Sequence, residues 1–125
     1  MIVAIGVDSV AIARIEALWQ RAGERFLCRV FTADECAYCL SRHRPAESLA
    51  ARFAAKEAVM TCLGTGWADG VGFRQIEVVR EPDGPVAVRL HGAAAARAAQ
   101  RGIRRIHLSL THTGEHATAF AIAEA

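Results

Sequence analysis

Lysine is almost missing from this chain of 125 residues: of 15 basic residues only Lys56 is a lysine, the other 14 being arginine. A chain that uses arginine everywhere else points to a need for a flexible, compact ammonium at that one position. Long apolar runs are missing as well. No uncharged stretch reaches the length of a membrane span, and Asp8 interrupts the apolar N-terminus too early for a signal peptide. Strong charge of either sign is absent, and a net charge of +2 is too small to argue for a nucleic-acid partner. Cysteine is sparse: Cys28, Cys36, Cys39 and Cys62. Cys36 and Cys39 form a CxxC with no second pair, which favours reduced, buried cysteines in a cytoplasmic protein over zinc or redox use. No linker, repeat or low-complexity tract divides the chain, so residues 1–125 are expected to form one domain.

What is present centres on Ser48 to Gly66, rich in Ala, Leu, Met and charged residues of good helix propensity, with Gly64 as a natural stop. On a helix Leu49, Phe53, Lys56, Met60 and Leu63 share one side, and Ala50, Ala54, Glu57, Ala58 and Thr61 its neighbour. Glu57 is a carboxylate among alanines. On a close-packed helix such a charge needs a cation or a metal as partner, unless Lys56 and Glu57 simply reach solvent.

The rest of the chain reads as an alternation of short elements. Ile2 to Val7 is an apolar run that fits a buried strand and delivers Asp8 at its end. A helix follows with Ile12, Ile15, Leu18 and Trp19 on one face, for which Asp8 would serve as an N-cap or carry a functional role. Its other face carries Arg14, Arg21 and Arg25, with Arg29 one turn on if the helical path continues past Gly23. Such a ridge is either solvated or suited to an acidic partner helix. Thr32 and Glu35 form a capping box, flanked by Phe31 and Cys36 as a staple, for a short helix to about Leu40. Arg42-His43-Arg44-Pro45 is a turn-prone link, and Gly66 to Gly72 a glycine-rich one. Phe73–Val79 and Val86–Leu90 read as strands around Pro82-Asp83-Gly84-Pro85, and Ala93–Arg101 as a helix stopped by Gly102. Ile103–Thr111 and His116–Ala123 close the chain as a hairpin. The order is strand, helices, hairpin, helix, hairpin around a long central helix, an α+β class.

Gly64-Thr65-Gly66 follows a helix rather than opening one, so a phosphate-binding loop is excluded by the sign of the dipole. Asp8 and Glu57 are a candidate pair for a hard cation such as Mg²⁺, which takes one or two protein carboxylates and fills its other positions with water and phosphate oxygens. His107, Ser109 and Thr111 share one face of a strand, and His112 sits at the turn, where a lone histidine is more often structural.

Three segments together, GVDSVAIARI at Gly6 to Ile15, ARFAAKEAVMTCLGTG at Ala51 to Gly66 and HLSLTHTGEHATAFAIAE at His107 to Glu124, resemble the holo-acyl-carrier-protein synthases, the short phosphopantetheinyl transferases. The resemblance covers essentially the whole chain. It implies an α+β trimer, with active sites at the subunit contacts, that moves phosphopantetheine from coenzyme A to a serine of an acyl carrier protein. It implies Asp8 and Glu57 as Mg²⁺ ligands and Arg52 and His112 near the phosphates of coenzyme A. Lys56 stands beside the metal ligand as a catalytic candidate, together with Glu57, which or a metal-bound water would take the serine proton. Arg14 and Arg25 match the basic face for the carrier protein. Two positions depart from the family pattern. Thr61 stands where a second lysine is usual, and Gly84-Pro85-Val86 replaces GKP in the hairpin. A threonine donates a hydrogen bond but supplies no positive charge. These departures keep open a non-catalytic relative that binds coenzyme A or a carrier protein. A metal-dependent phosphohydrolase would account for the carboxylates but not for the Arg14/Arg25 face.

Overall fold

The central helix, α4, runs from Pro45 to Leu63 in the computed structural model, which describes residues 1–64, 70–81 and 84–125. Pro45 opens it where a missing N–H has no cost, and Gly64 closes it in the left-handed region at φ 68°. Arg101 donates to the Cys62 carbonyl at 2.7 Å and Arg97 to that of Leu63 at 3.0 Å, so cations satisfy the negative end of the helix. Thr65 and Gly66, most of the glycine-rich connection, and Pro82-Asp83 of the expected turn lie outside the described residues.

The α+β class holds. Strands β1 (Ile2–Ala11), β5 (His116–Glu124) and β4 (Arg105–His112) form an antiparallel sheet in the order β1-β5-β4. Strands β2 (Ile76–Arg80) and β3 (Val86–Leu90) pair as a separate hairpin. Helices α1 (Ile12–Ala22), α2 (Glu24–Val30) and α3 (Ala33–Leu40) lead into α4, and α5 (Gly92–Gln100) joins β3 to β4. The Thr32–Glu35 capping box forms as expected.

Four details differ from the expectation. Strand β1 continues past Val7 to Ala11, so Asp8 pairs with Ala119 in mid-strand and caps no helix. Buried Val10 and a Ser9–Thr118 hydroxyl contact of 3.0 Å keep this polar stretch extended. Gly23, at φ 56°, breaks the helical path, so the arginine ridge is divided between α1 and α2. Phe73–Gln75 is a single 3-10 turn, because Phe73 stacks at 5.2 Å on Phe53 and turns its carbonyl to Lys56. Cys39 and Cys62 are buried, but Cys28 is exposed.

Helix α4 lies against one face of the large sheet, and that face is built from small residues. Ala117, Ala119, Ala121 and Ala123 of β5 are all fully buried. Gly6 of β1 sits so close to α4 that a Cβ there would overlap the Ala58 carbonyl. The glycine is required by this backbone approach, which brings β1 alongside the helix turn that carries Glu57.

On its other side α4 is fixed by charge. Lys56 is completely buried, and its ammonium donates to Glu35 Oε1 at 2.7 Å and to the carbonyls of Phe73 and Ile76 at 3.0 and 2.6 Å. Glu35 in turn accepts from the amides of Thr32 at 2.9 Å and Val78 at 2.8 Å. Burial pulls the Lys56 pKa below the ordinary lysine value, opposed by the charge of Glu35.

Removing one partner leaves the other as an unpaired buried charge, so Lys56→Met is expected to cost about 3–5 kcal/mol. Adding Glu35→Gln is expected to recover more than half of that loss. Urea denaturation checks both, and a single mutant within about 1 kcal/mol of wild type contradicts the assignment. Gly6→Ala is expected to cost about 1–3 kcal/mol through overpacking. Gly72→Ala, with nothing near the added carbon, should stay within about 0.5 kcal/mol in the same assay.

Candidate active site

Strand β1 alternates Gly6, Asp8 and Val10 toward α4 with Ile5, Val7 and Ser9 toward the open side of the sheet. With Gly6 pressed on Ala58, Asp8 comes within electrostatic range of Glu57. Burial raises the Glu57 carboxyl above the usual carboxylate range, and the charge of Asp8 raises it further, with Arg14 opposing. Burial likewise raises Asp8, opposed by a backbone hydrogen bond from Ser9 and by Arg14. The Arg14 guanidinium lies 5.8 Å from the centre of the Phe53 ring, one turn before Glu57 on α4.

The structure therefore brings together the two carboxylates expected as metal ligands. Among the described residues no group of three or more histidine, cysteine or carboxylate side chains is placed to hold a metal ion. Two hard oxygen donors, half-buried and under-neutralised, fit Mg²⁺ with water and phosphate completing its shell, and do not fit a zinc site. Lys56 does not face this pair. One residue along a helix is about 100° of rotation, and that turn sends Lys56 to Glu35 with all three ammonium protons engaged. Thr61, one turn after Glu57, is exposed and donates back to the Glu57 carbonyl at 3.2 Å.

Arg52 and His112 meet in a different place, a cleft of about 460 Å³ between α3, α4 and the end of β4. Arg52 is only 3 % exposed, and its buried Nε has no hydrogen-bond partner. Its guanidinium stacks 4.2 Å from the centre of the Tyr38 ring. His112 Nδ1 lies 3.4 Å from Glu47, which also pairs with Arg44 at 3.4 Å. Arg42, Arg44, Arg80 and His43 also line it, and among the described residues Glu47 is its one carboxylate. Neither Asp8 nor Glu57 lines this cleft: Arg52 and Glu57 are about 140° apart around α4.

Arg25 occupies a third place, beside Leu18, Phe26 and Arg29 at an apolar hollow with an arginine rim. The break at Gly23 leaves it on a different helix from Arg14. Sequence reasoning passed over Tyr38, Arg44 and Arg80 as cleft residues. The only signals were that Tyr38 is the single tyrosine and that Arg44 belongs to a basic turn.

Comparison with known proteins assigns the chain to a family. Residues 4–121 match the family model of the 4'-phosphopantetheinyl transferase superfamily. The holo-[acyl-carrier-protein] synthase of Koribacter versatilis is 47 % identical over 124 residues, covering 99 % of each chain. The crystal structure of that enzyme from Neisseria meningitidis superposes with a TM-score of 0.91 at 34 % identity, over 100 % of both chains. The Helicobacter pylori enzyme, solved in complex with coenzyme A, superposes with a TM-score of 0.84 at 27 % identity, over 97 % of this chain and 100 % of that one. The chain belongs to the 4'-phosphopantetheinyl transferase superfamily, as a member of its holo-[acyl-carrier-protein] synthases.

Proposed function

We propose that this protein transfers 4'-phosphopantetheine from coenzyme A to a serine of an apo acyl carrier protein of fatty-acid or polyketide synthesis in the cytoplasm. The transfer depends on Mg²⁺ and releases adenosine 3',5'-bisphosphate. The observation that carries the reading is the convergence of Asp8 and Glu57 across the Gly6–Ala58 contact. They would hold Mg²⁺, which supplies charge neutralisation for the diphosphate when bound. Arg52 and His112 bind phosphate of coenzyme A in the arginine-lined cleft; that coenzyme A is the ligand is in keeping with the Helicobacter pylori relative, which was solved with it. Arg14 and Arg25 offer exposed guanidinium groups to the acidic surface of the carrier protein.

In the transfer the serine oxygen bonds to the phosphorus that carries the pantetheine arm. The bond from that phosphorus to the leaving bisphosphate breaks, and Glu57 is the group we assign to accept the serine proton. Lys56 enters this reading as the buried cation that sets the rotation of α4, not as a group that touches substrate.

The carboxylate pair and the arginine cleft lie apart in one protomer. We assign their union to a homotrimer with sites at subunit contacts. Its support is the open face of the large sheet, where Ile5, Val7, Phe120 and Ile122 are 62, 54, 52 and 37 % exposed. Val7 pairs with Phe120 and Ile5 with Ile122, giving a continuous apolar patch of the kind that marks an interface.

Incubation of an apo carrier protein with coenzyme A and Mg²⁺, read by intact-protein mass spectrometry, is expected to add one phosphopantetheinyl group. A chelator, Asp8→Asn and Glu57→Gln should each abolish the gain, and full activity in either mutant sinks the ligand assignment. The raised carboxyls also fix a sign: their stabilising contribution is present below the unfolded pKa and lost as pH rises through the folded one. At neutral pH the charged pair therefore destabilises the metal-free protein. Asp8→Asn is expected to raise its thermal midpoint and to remove the further rise that Mg²⁺ gives wild type. Thr61 favours a second reading, a relative that binds without transferring. A large gain of activity in Thr61→Lys over an inactive wild type would select it. Light scattering is expected to find a trimer for wild type and smaller species for Phe120→Asp; a monomeric wild type overturns the assembly.

A further inference from the structure

Three guanidinium groups converge on one aromatic ring. Arg52, Arg42 and Arg80 lie 4.2, 5.4 and 5.9 Å from the centre of Tyr38, from α4, the α3–α4 link and the end of β2 respectively. Cations so close repel one another, and proteins ordinarily resolve such a cluster with carboxylates. Among the described residues the cleft lining has one, Glu47, engaged by Arg44 and His112; Asp34, Glu35 and Glu81 line a neighbouring hollow with Tyr38, Arg52 and Arg80, but none of them forms an ion pair with these arginines. Tyr38 offers the face of a π-system instead. Each stacked cation gains about 0.5–2 kcal/mol from the ring quadrupole, and no negative charge is added. An anionic platform would hold the arginines and also neutralise them. An aromatic one holds them and leaves their charge for a ligand.

We infer that Tyr38 is a positioning residue that gathers Arg52, Arg42 and Arg80 into a cradle held without direct ion pairs, and thereby makes the cleft selective for a dianionic phosphomonoester over a neutral or singly charged group. The inference rests on the reading that this cleft receives coenzyme A, whose only phosphomonoester is on the ribose. The diphosphate carries one charge per phosphorus and is assigned to the carboxylate pair. The buried Nε of Arg52 supports the cradle: it is a polar atom 3 % exposed at the residue level and left without a protein partner. Such an atom is costly unless a ligand completes it. Ring stacking fixes the plane of the guanidinium, so its free N–H groups keep one orientation before the ligand arrives.

The test compares two ligands that differ only by that phosphate. Calorimetric titration of coenzyme A and dephospho-coenzyme A into wild type, Tyr38→Phe and Tyr38→Leu gives a selectivity ratio for each protein. Wild type and Tyr38→Phe are expected to prefer coenzyme A by at least about tenfold, since the phenyl face suffices. Tyr38→Leu should weaken coenzyme A about tenfold while leaving dephospho-coenzyme A unchanged, with KM for coenzyme A raised and kcat kept. A purely structural loss would weaken both ligands together and overturns the inference, as does an unchanged ratio. Should Tyr38→Leu fail to fold, Arg80→Gln, an exposed side chain at a strand end, asks the same question. About threefold selective loss supports the cradle, and no loss contradicts it. Wild type that binds neither ligand, or both equally, removes the reading beneath the inference as well.

Discussion

The buried contact between Lys56 and Glu35 is the constraint on which the arrangement of this protein depends. Both side chains are fully buried, and their separation is 2.7 Å. Two charges in such a place are costly, and the cost is offset only where every donor and acceptor is matched. Here it is met by ordinary backbone groups: two carbonyls from the Phe73–Ile76 turn for the ammonium, and the amides of Thr32 and Val78 for the carboxylate. One pair thus ties the start of α3, the middle of α4 and the start of β2. The same carboxylate completes the capping box of α3, so helix initiation and tertiary fixation are a single event. The net extends outward as Thr32 donates to Glu77 at 2.8 Å and Glu77 meets His91 at 3.0 Å, at the entrance to α5. A helix that is apolar nearly all round could rotate with little penalty. A point charge with fixed partners removes that freedom. Once Lys56 points to Glu35, Glu57 points to β1 and Arg52 to α3.

Packing on the sheet inverts the usual size order. The face against α4 carries alanines and a glycine, while the open face carries Ile5, Val7, Phe120 and Ile122. Small residues on the inner side let backbones approach, which places Asp8 where a longer side chain on the helix side of β1 would hold it away. Large residues on the outer side gain nothing in an isolated protomer, since burial is what stabilises them. Beside them, Ser9 bonds Thr118 and His107 lies 3.1 Å from Glu124, so the patch has polar groups along its edges. An apolar centre with a polar margin is the composition of an interface.

Much of this was legible in the sequence, and the exceptions share a cause. Local chemistry was readable: Thr32 and Glu35 three residues apart, Gly64 after an apolar helix, Gly102 after an alanine run. The position of Asp8 was misread because Asp has low strand propensity, and the pairing with Ala119 that overrides it comes from the far end of the chain. The function of Lys56 was hidden because its partner is 21 residues away, on a helix whose capping box already explained Glu35. Tyr38 was hidden more thoroughly still. Arg42 is one turn from it in sequence, but Arg52 and Arg80 reach it only through tertiary structure. Motifs locate residues that act alone or as neighbours, whereas a cluster assembled from three elements has no linear signature.

The electrostatics of the chain make the same point from another direction. A net charge of +2 gives ample opportunity for neutralisation between 15 basic and 13 acidic residues. Yet among the described residues Asp8 and Glu57 face each other with Arg14 as the neighbouring cation, and the lining of the cleft around Tyr38 gathers four arginines and two histidines against one carboxylate. Each arrangement raises the free energy of the empty protein, and exchanging charges between the two would relieve both. Under the proposed function, segregation of this kind would be sustained by a ligand that is itself divided, with a cation-bearing end for the carboxylates and an anionic end for the arginines. A metal-bound diphosphate joined to a separate phosphomonoester has that distribution of charge. The proposed assembly follows the same logic: with the two sites on different sides of α4, such a ligand would meet the carboxylates of one copy and the arginines of another.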